Sequence, residues 1–296
     1  MLKRILFGAV MIAAVVGLLI LDWWLEHQGL RPRLWGHTAV LGIPVTAAVV
    51  LLLLKAFTEL ERLAAAAGGA LLGVSGLTGV LALGSLPFWL QFAGIWLGAS
   101  AAMVVLAIIV MLVFAEQMLR RPAQEAIRNV GCTFLAVLYL GVGGGMILQI
   151  RLSFGVPALA FFLVAVKFTD MGAFFTGTAI GRHKLIPAIS PGKSWEGLVG
   201  GLIAGAAAAG VAGWLLAGVR GGYYLGTMPL WQAAVFGAVI GLAGQFADLC
   251  ESLLKRSAGV KDSAAAVPGF GGVLDIIDSP LLASPVAYLL LAACCG

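Results

Sequence analysis

Towards the C-terminal end of the chain, Asp275 and Asp278 stand three residues apart, so on a helix both carboxylates leave from one face. Two carboxylates held that close repel, and one takes up a proton unless a cation lies between them. A divalent ion resolves the conflict. No thiolate or imidazole is near in sequence, and all-oxygen ligation selects Mg2+ or a similar hard ion, which keeps part of its water shell and binds phosphate as well. Upstream, Asp248, Glu251, Ser252, Lys255 and Arg256 recur at spacings of three and four, so one helix end presents acids, a hydroxyl and bases on adjoining faces. Lys261 and Asp262 extend this into a basic loop suited to gripping phosphate.

Two glycine-containing turns flank these groups. Pro268-Gly269-Phe270-Gly271-Gly272 leads into a helix start, where exposed backbone N–H groups form an anion site. In the polar segment from Gly181 to Gly201, Ser190, Pro191 and Gly192 make a turn, and Ser194 is placed to cap a helix whose first turn holds Trp195, Glu196 and Gly197. Lys193 is free to point at an anion there. Lys193, Lys255 and Arg256 each have a plainer reading as membrane-boundary charges, and the acids beside the last two favour the functional one. His183, between Arg182 and Lys184, reads as a solvated loop residue.

The elements that must position these residues follow from composition. Of 296 residues, 61% are hydrophobic and 10% charged, against about 25% charged in a typical soluble domain. The chain belongs in a bilayer. Its charge of +5 is small and gives no reason to expect a nucleic acid partner. The four cysteines make no CxxC pair and the three histidines are scattered, so no zinc site is expected. With about 20 apolar residues per span, nine candidate transmembrane helices are counted, near 5–24, 38–54, 67–85, 92–116, 130–149, 155–178, 197–217, 231–254 and 273–295. The first is expected to be retained rather than cleaved, because no small-residue cleavage site follows it. Pro87 is expected to separate the third from the fourth.

Thirteen Lys and Arg residues fall at the N-terminus and in the loops after spans two, four, six and eight, and four (Arg31, Arg33, Arg151 and Arg220) in the remaining loops. The positive-inside rule then makes the N-terminus and the charged C-terminal segments cytoplasmic. The fold class expected is an all-α polytopic membrane protein. Residues 1–150 form a scaffold and 151–296 carry the site, within one membrane unit. Carboxylates at membrane depth mark function by default. Apart from Asp22, they are Asp170, Asp248, Asp275 and Asp278, with Lys167 three residues before Asp170.

The segment from Ser252 to Asp278 resembles the signature of the phosphatidate cytidylyltransferases, the CDP-diacylglycerol synthases. Ser252, Leu254, Lys255, Arg256, Lys261, Asp262, Ala264, Pro268, Gly271, Gly272, Asp275 and Asp278 fall in register with it, and "ISPGKSWEG" is similar to a second stretch of that family. Phe270, Ile276 and Gly192 depart from the family's His, Arg and Lys, and Val267 is a milder change. The resemblance implies cytidylyl transfer from CTP to membrane phosphatidate, releasing pyrophosphate, in a multi-pass protein of the inner membrane with its site facing the cytosol. It implies one or two Mg2+, or one with a monovalent cation, held by Asp248, Asp275 and Asp278. Lys255, Arg256 and Lys261 would neutralise phosphate, Asp262 would orient a base or the metal's water shell, and Ser190, Lys193 and Glu196 would line the nucleotide side. Ser252, Gly271 and Gly272 complete the expected substrate contacts. Three alternatives stay open: a relative using an isoprenoid-type phospholipid or a lipid alcohol, an inactive member, and an ion-coupled transporter. Assembly as a homodimer is open too.

Overall fold

The computed structural model describes residues 2–27, 41–93, 98–219, 225, 227–264 and 271–295. The apolar runs fold as α1 (Leu2–His27), α2 (Ile43–Ala66), α3 (Gly73–Ala93), α4 (Gly98–Arg120), α5 (Ala126–Ala136), α6 (Gly143–Ile180), α7 (Trp195–Ala217), α8 (Leu230–Ser257) and α9 (Leu274–Cys295). A 3-10 turn, Ala123–Glu125, opens α5, and a wider π turn, Val137–Val142, joins α5 to α6. Among the described residues, eight helical segments are long and apolar enough to cross a bilayer. One, Ala123–Ile180, has 58 residues, which at 1.5 Å per residue is about 87 Å against a hydrocarbon layer of about 30 Å. Gly155 breaks it, with φ 83° and ψ 175°, a conformation essentially confined to glycine. The break falls at the first residue expected for the sixth span, next to the loop expected after the fifth. The protein is an all-α polytopic membrane protein. Its one sheet among the described residues is an antiparallel hairpin, β1 (Lys184–Ile186) with β2 (Ser190–Ser194).

Of the boundaries that differ from expectation, two have a clear physical reason. Helix α2 continues past Lys55 to Ala66, because Ala56, Leu60 and Leu63 keep its buried face apolar at helical spacing. Pro87 lies inside α3 rather than ending it. A proline leaves the carbonyl four residues earlier without its helical donor. That carbonyl, on Leu83, faces Gly145 so closely that a Cβ there would lie 2.6 Å from its oxygen. A glycine Cα–H against a carbonyl is a weak but real compensation.

The chain forms two compact units, Met1–Leu152 with Ser257–Ile276, and Ser153–Arg256 with Ile277–Gly296. In the first, α3 packs on α2, α4 and the π turn, burying Leu53, Val80, Val113, Val137 and Leu140. Side chains hold the approach to α3: Ala70 N–H donates to Asn129 Oδ1 at 3.2 Å, Leu72 N–H to Thr133 Oγ1 at 3.0 Å and Ser75 N–H to Glu116 Oε2 at 2.6 Å. Arg151, counted from sequence among the loop bases, is instead inside α6 and 1% exposed. Its guanidinium binds the α1 carboxylates of Asp22, through Nε, and Glu26, through Nη2 at 2.9 Å.

In the second unit, the latter part of α6 packs with α7 and α8 through small residues around Thr169. A Cβ at Gly241 would lie 2.7 Å from Thr169 Oγ1, and one at Gly237 would lie 2.7 Å from the Ala209 Cβ and 2.8 Å from the Ala206 Cα. Backbones this close give dispersion contacts where lipid supplies no hydrophobic drive between helices. Gly237→Val should therefore lower folding stability by about 1–3 kcal/mol, the cost of overpacking, read as a fall in the thermal unfolding midpoint in detergent. Outward-facing Met103, Trp214 and Ile203 are exposed, as lipid-facing side chains are.

Candidate active site

Helix α8 is a single helix across Asp248, Glu251 and Lys255, and its pitch turns the last two towards one side at a spacing of four. In the second unit the carboxylate oxygens of Asp248, Glu251 and Asp278 come within 4.8 Å of one another. Glu251 is 1% exposed and Asp278 4%. Two ammonium groups accompany them. Lys255 Nζ lies 2.5 Å from Glu251 Oε2, and Lys193 Nζ lies 2.8 Å from Asp248 Oδ2 while donating to the Gln245 carbonyl at 3.0 Å. Three carboxylates against two lysines leave a negative balance in a largely desolvated place, which favours a cation. The donor set is all oxygen, so it fits a hard divalent ion and gives a soft metal no thiolate or imidazole. Alongside, Gln245 Nε2 donates to Asp170 Oδ1 at 3.3 Å, and Lys167 pairs with the same carboxylate at 3.5 Å.

The hairpin delivers Lys193. Ser194 caps α7 as its sequence position suggests, its Oγ accepting from Gly197 N–H at 3.1 Å. Glu196 is engaged by the hairpin itself. It accepts from the Arg182 and His183 N–H groups at 3.2 Å and meets His183 Nδ1 at 2.6 Å. His183, expected to be merely solvated, thus has a partner. Arg256 Nε donates to the Ile189 carbonyl at 3.1 Å, tying the end of α8 to the turn before Ser190, which is half-buried.

The segment from Ser257 to Ile276 belongs to the first unit. Asp275 Oδ2 accepts from Gly272 N–H at 2.7 Å, Ser263 N–H at 3.1 Å and Ser263 Oγ at 2.8 Å. Val273 and Leu274 N–H donate to Glu59 of α2, at 2.9 and 2.8 Å. At the helix start expected to offer open amides to phosphate, the Gly272, Val273 and Leu274 N–H groups are engaged by side-chain carboxylates. Lys261 and Asp262 are exposed, and Ser252 is buried. Pro268, Gly269 and Phe270 lie outside the described residues.

Of the expected metal ligands, Asp248 and Asp278 come together, while Asp275 Oδ2 is directed to the Ser263 backbone and hydroxyl. Three residues along a helix are about 300° of rotation, so the two α9 carboxylates stand about 60° apart and reach different neighbours. Glu251 takes the third position in the trio. The sequence carried a signal for it, since it shares the α8 face with Lys255. Glu59 also left a trace, a carboxylate on the α2 stripe of Ala56, Leu60 and Leu63.

The family model described as "Cytidylyltransferase family" matches residues 2–294. The chain is 39% identical over 140 residues to a phosphatidate cytidylyltransferase of Brucella suis, covering 46% of this chain and 47% of that one. It is 43% identical over 135 residues to one from Haemophilus influenzae, 44% of each chain. To one from Staphylococcus saprophyticus it is 36% identical over 157 residues, 53% of this chain and 57% of the other. The chain thus spans about half the length of the curated relatives it matches.

Proposed function

The chain belongs to the cytidylyltransferase family, and on that footing we propose that it transfers a cytidylyl group from CTP to membrane phosphatidate, giving CDP-diacylglycerol and pyrophosphate. The observation that carries the reading is the trio of Asp248, Glu251 and Asp278 flanked by Lys193 and Lys255. The phosphate oxygen of the lipid attacks the α-phosphorus of CTP. A P–O bond forms there as the bond from that phosphorus to the α,β-bridging oxygen breaks, and pyrophosphate leaves with the electron pair. No side-chain nucleophile is required, so positioning and charge neutralisation carry the catalysis.

Asp248, Glu251 and Asp278 would hold Mg2+, which when bound neutralises phosphate charge and acts as a Lewis acid. Lys193 and Lys255 have ammonium groups beside that trio and bind phosphate oxygens, Lys193 from the nucleotide side together with Ser190. Arg256, tied to the hairpin turn, draws the triphosphate in, and in the first unit the exposed Lys261 offers a further base for phosphate, with Asp262 beside it. Glu196 holds the hairpin, Asp170 and Lys167 brace Gln245, and Ser252 keeps α8 packed. Asp275 shapes the segment after α8. A cytosolic site in an inner membrane is favoured by the distribution of bases, because Arg151 is neutralised within the protein and leaves only three bases on the opposite side.

The test uses the full chain in detergent micelles containing phosphatidate, with labelled CTP and titrated Mg2+. Lipid-linked cytidylate and pyrophosphate should appear together and only with lipid and metal. Parallel micelles with an isoprenoid phosphate or a lipid alcohol identify the acceptor. Absence of phosphatidate-dependent product would overturn the proposal.

A further inference from the structure

We infer that Glu59 of α2 is a positioning residue for this reaction: its buried carboxylate fixes where α9 begins, and with it the turns that carry Asp275 and Asp278. The inference rests on the transferase reading above. Glu59 is 3% exposed on the buried face of α2, a place where a carboxylate is costly unless its oxygens are hydrogen-bonded. It has two backbone N–H donors of its own and shares the single proton of the Ser263 hydroxyl with Asp275. Oε1 accepts from Val273 N–H at 2.9 Å, and Oε2 accepts from Leu274 N–H at 2.8 Å and from Ser263 Oγ at 3.0 Å.

The first amides of a helix have no partner within it, and an anion at that end also meets the positive end of the helix dipole. The start of α9 is capped twice, by Glu59 on Val273 and Leu274 and by Asp275 on Gly272. Ser263 Oγ, with one proton, sits 3.0 Å from Glu59 and 2.8 Å from Asp275 and links the two. Residues more than two hundred positions apart in the chain are thereby held together. Gly271 and Gly272 serve this arrangement. Gly271 has φ 91°, and a Cβ on it would lie 2.6 Å from Asp275 Oδ2, while a Cβ on Gly272 would strike Ser263 Oγ and Glu59 Oε2. Such charge-assisted bonds are directional as well as strong. They set both the first residue of α9 and its rotation about the axis, and so the direction in which Asp278 leaves one turn later.

Glu59→Gln keeps the shape but turns an NH2 group towards backbone donors, whereas Glu59→Asp keeps the charge. Both are compared with the parent full chain in phosphatidate micelles. In Glu59→Gln, kcat should fall about tenfold to a hundredfold with KM for CTP within about threefold, because placement rather than nucleotide binding is disturbed. Glu59→Asp should recover part of kcat. Amide hydrogen exchange across residues 271–276 should speed by about tenfold or more in Glu59→Gln, with the thermal midpoint near the parent's. The inference is overturned if that exchange is unchanged, if kcat stays within about twofold of the parent, or if Gln and Asp variants lose activity equally as their midpoints drop. A parent that releases no pyrophosphate overturns the transferase reading, and with it any role in transfer. The exchange measurement then still decides whether Glu59 caps α9.

Discussion

Asp278→Asn should reduce CTP-dependent turnover of phosphatidate by about a thousandfold or more, the scale expected when a ligand of a charge-neutralising ion is removed. Asparagine keeps the size and one oxygen of the side chain, so the helix has no steric reason to change. What disappears is a negative charge that is 4% exposed and grouped with Asp248 and Glu251. With two carboxylates left beside Lys193 and Lys255, the negative balance that favours a cation is gone. Mn2+ binding followed by electron paramagnetic resonance should weaken in parallel with activity, with the thermal midpoint held. Near-parent turnover in Asp278→Asn would remove the metal assignment. Asp275→Asn makes the comparison informative, because its carboxylate caps the α9 start. Its loss should resemble Glu59→Gln in size and weaken Mn2+ binding far less than Asp278→Asn does.

Arg151→Met should destabilise the fold by about 3–5 kcal/mol, since it strips the cation from two carboxylates and leaves one of them fully buried. Asp22 and Glu26 of α1 both bind this guanidinium, and Asp22 Oδ1 already lacks a hydrogen-bond partner among the described residues. The loss should appear as a lower thermal midpoint and a poor yield of folded protein in detergent. Combining Arg151→Met with Asp22→Asn and Glu26→Gln should restore much of it, because neutral amides do not carry the desolvation cost of an unpaired charge. If the single and triple variants unfold alike, the cluster contributes by shape and not by charge.

The sequence by itself determined the membrane and the helices, and it supplied the residues on which the proposed chemistry rests. A chain 61% hydrophobic and 10% charged has no soluble fold available, and apolar runs of bilayer length become helices because lipid leaves backbone amides no other partner. Ser194 could be read as a cap because capping acts over three residues. Lys255 and Glu251 could be placed on one face because helical pitch acts over four. The signature from Ser252 to Asp278 was legible for the same reason, being one stretch of chain.

Tertiary structure decided which partner each face meets. Spacing put Asp275 and Asp278 on one side of α9, yet Asp278 joins Asp248 and Glu251 while Asp275 turns to Ser263. Arg151 looked like a loop base and is a buried counter-ion for α1, more than a hundred residues away in the chain. Lys193 could be called a charge near an anion, but that it meets Asp248 was fixed only by the hairpin packing near α8. Glu59 is the sharpest case. Nothing within reach of its local pattern predicts that it caps a helix starting at residue 274, because local rules end about one turn away and such contacts come only from how the helices pack.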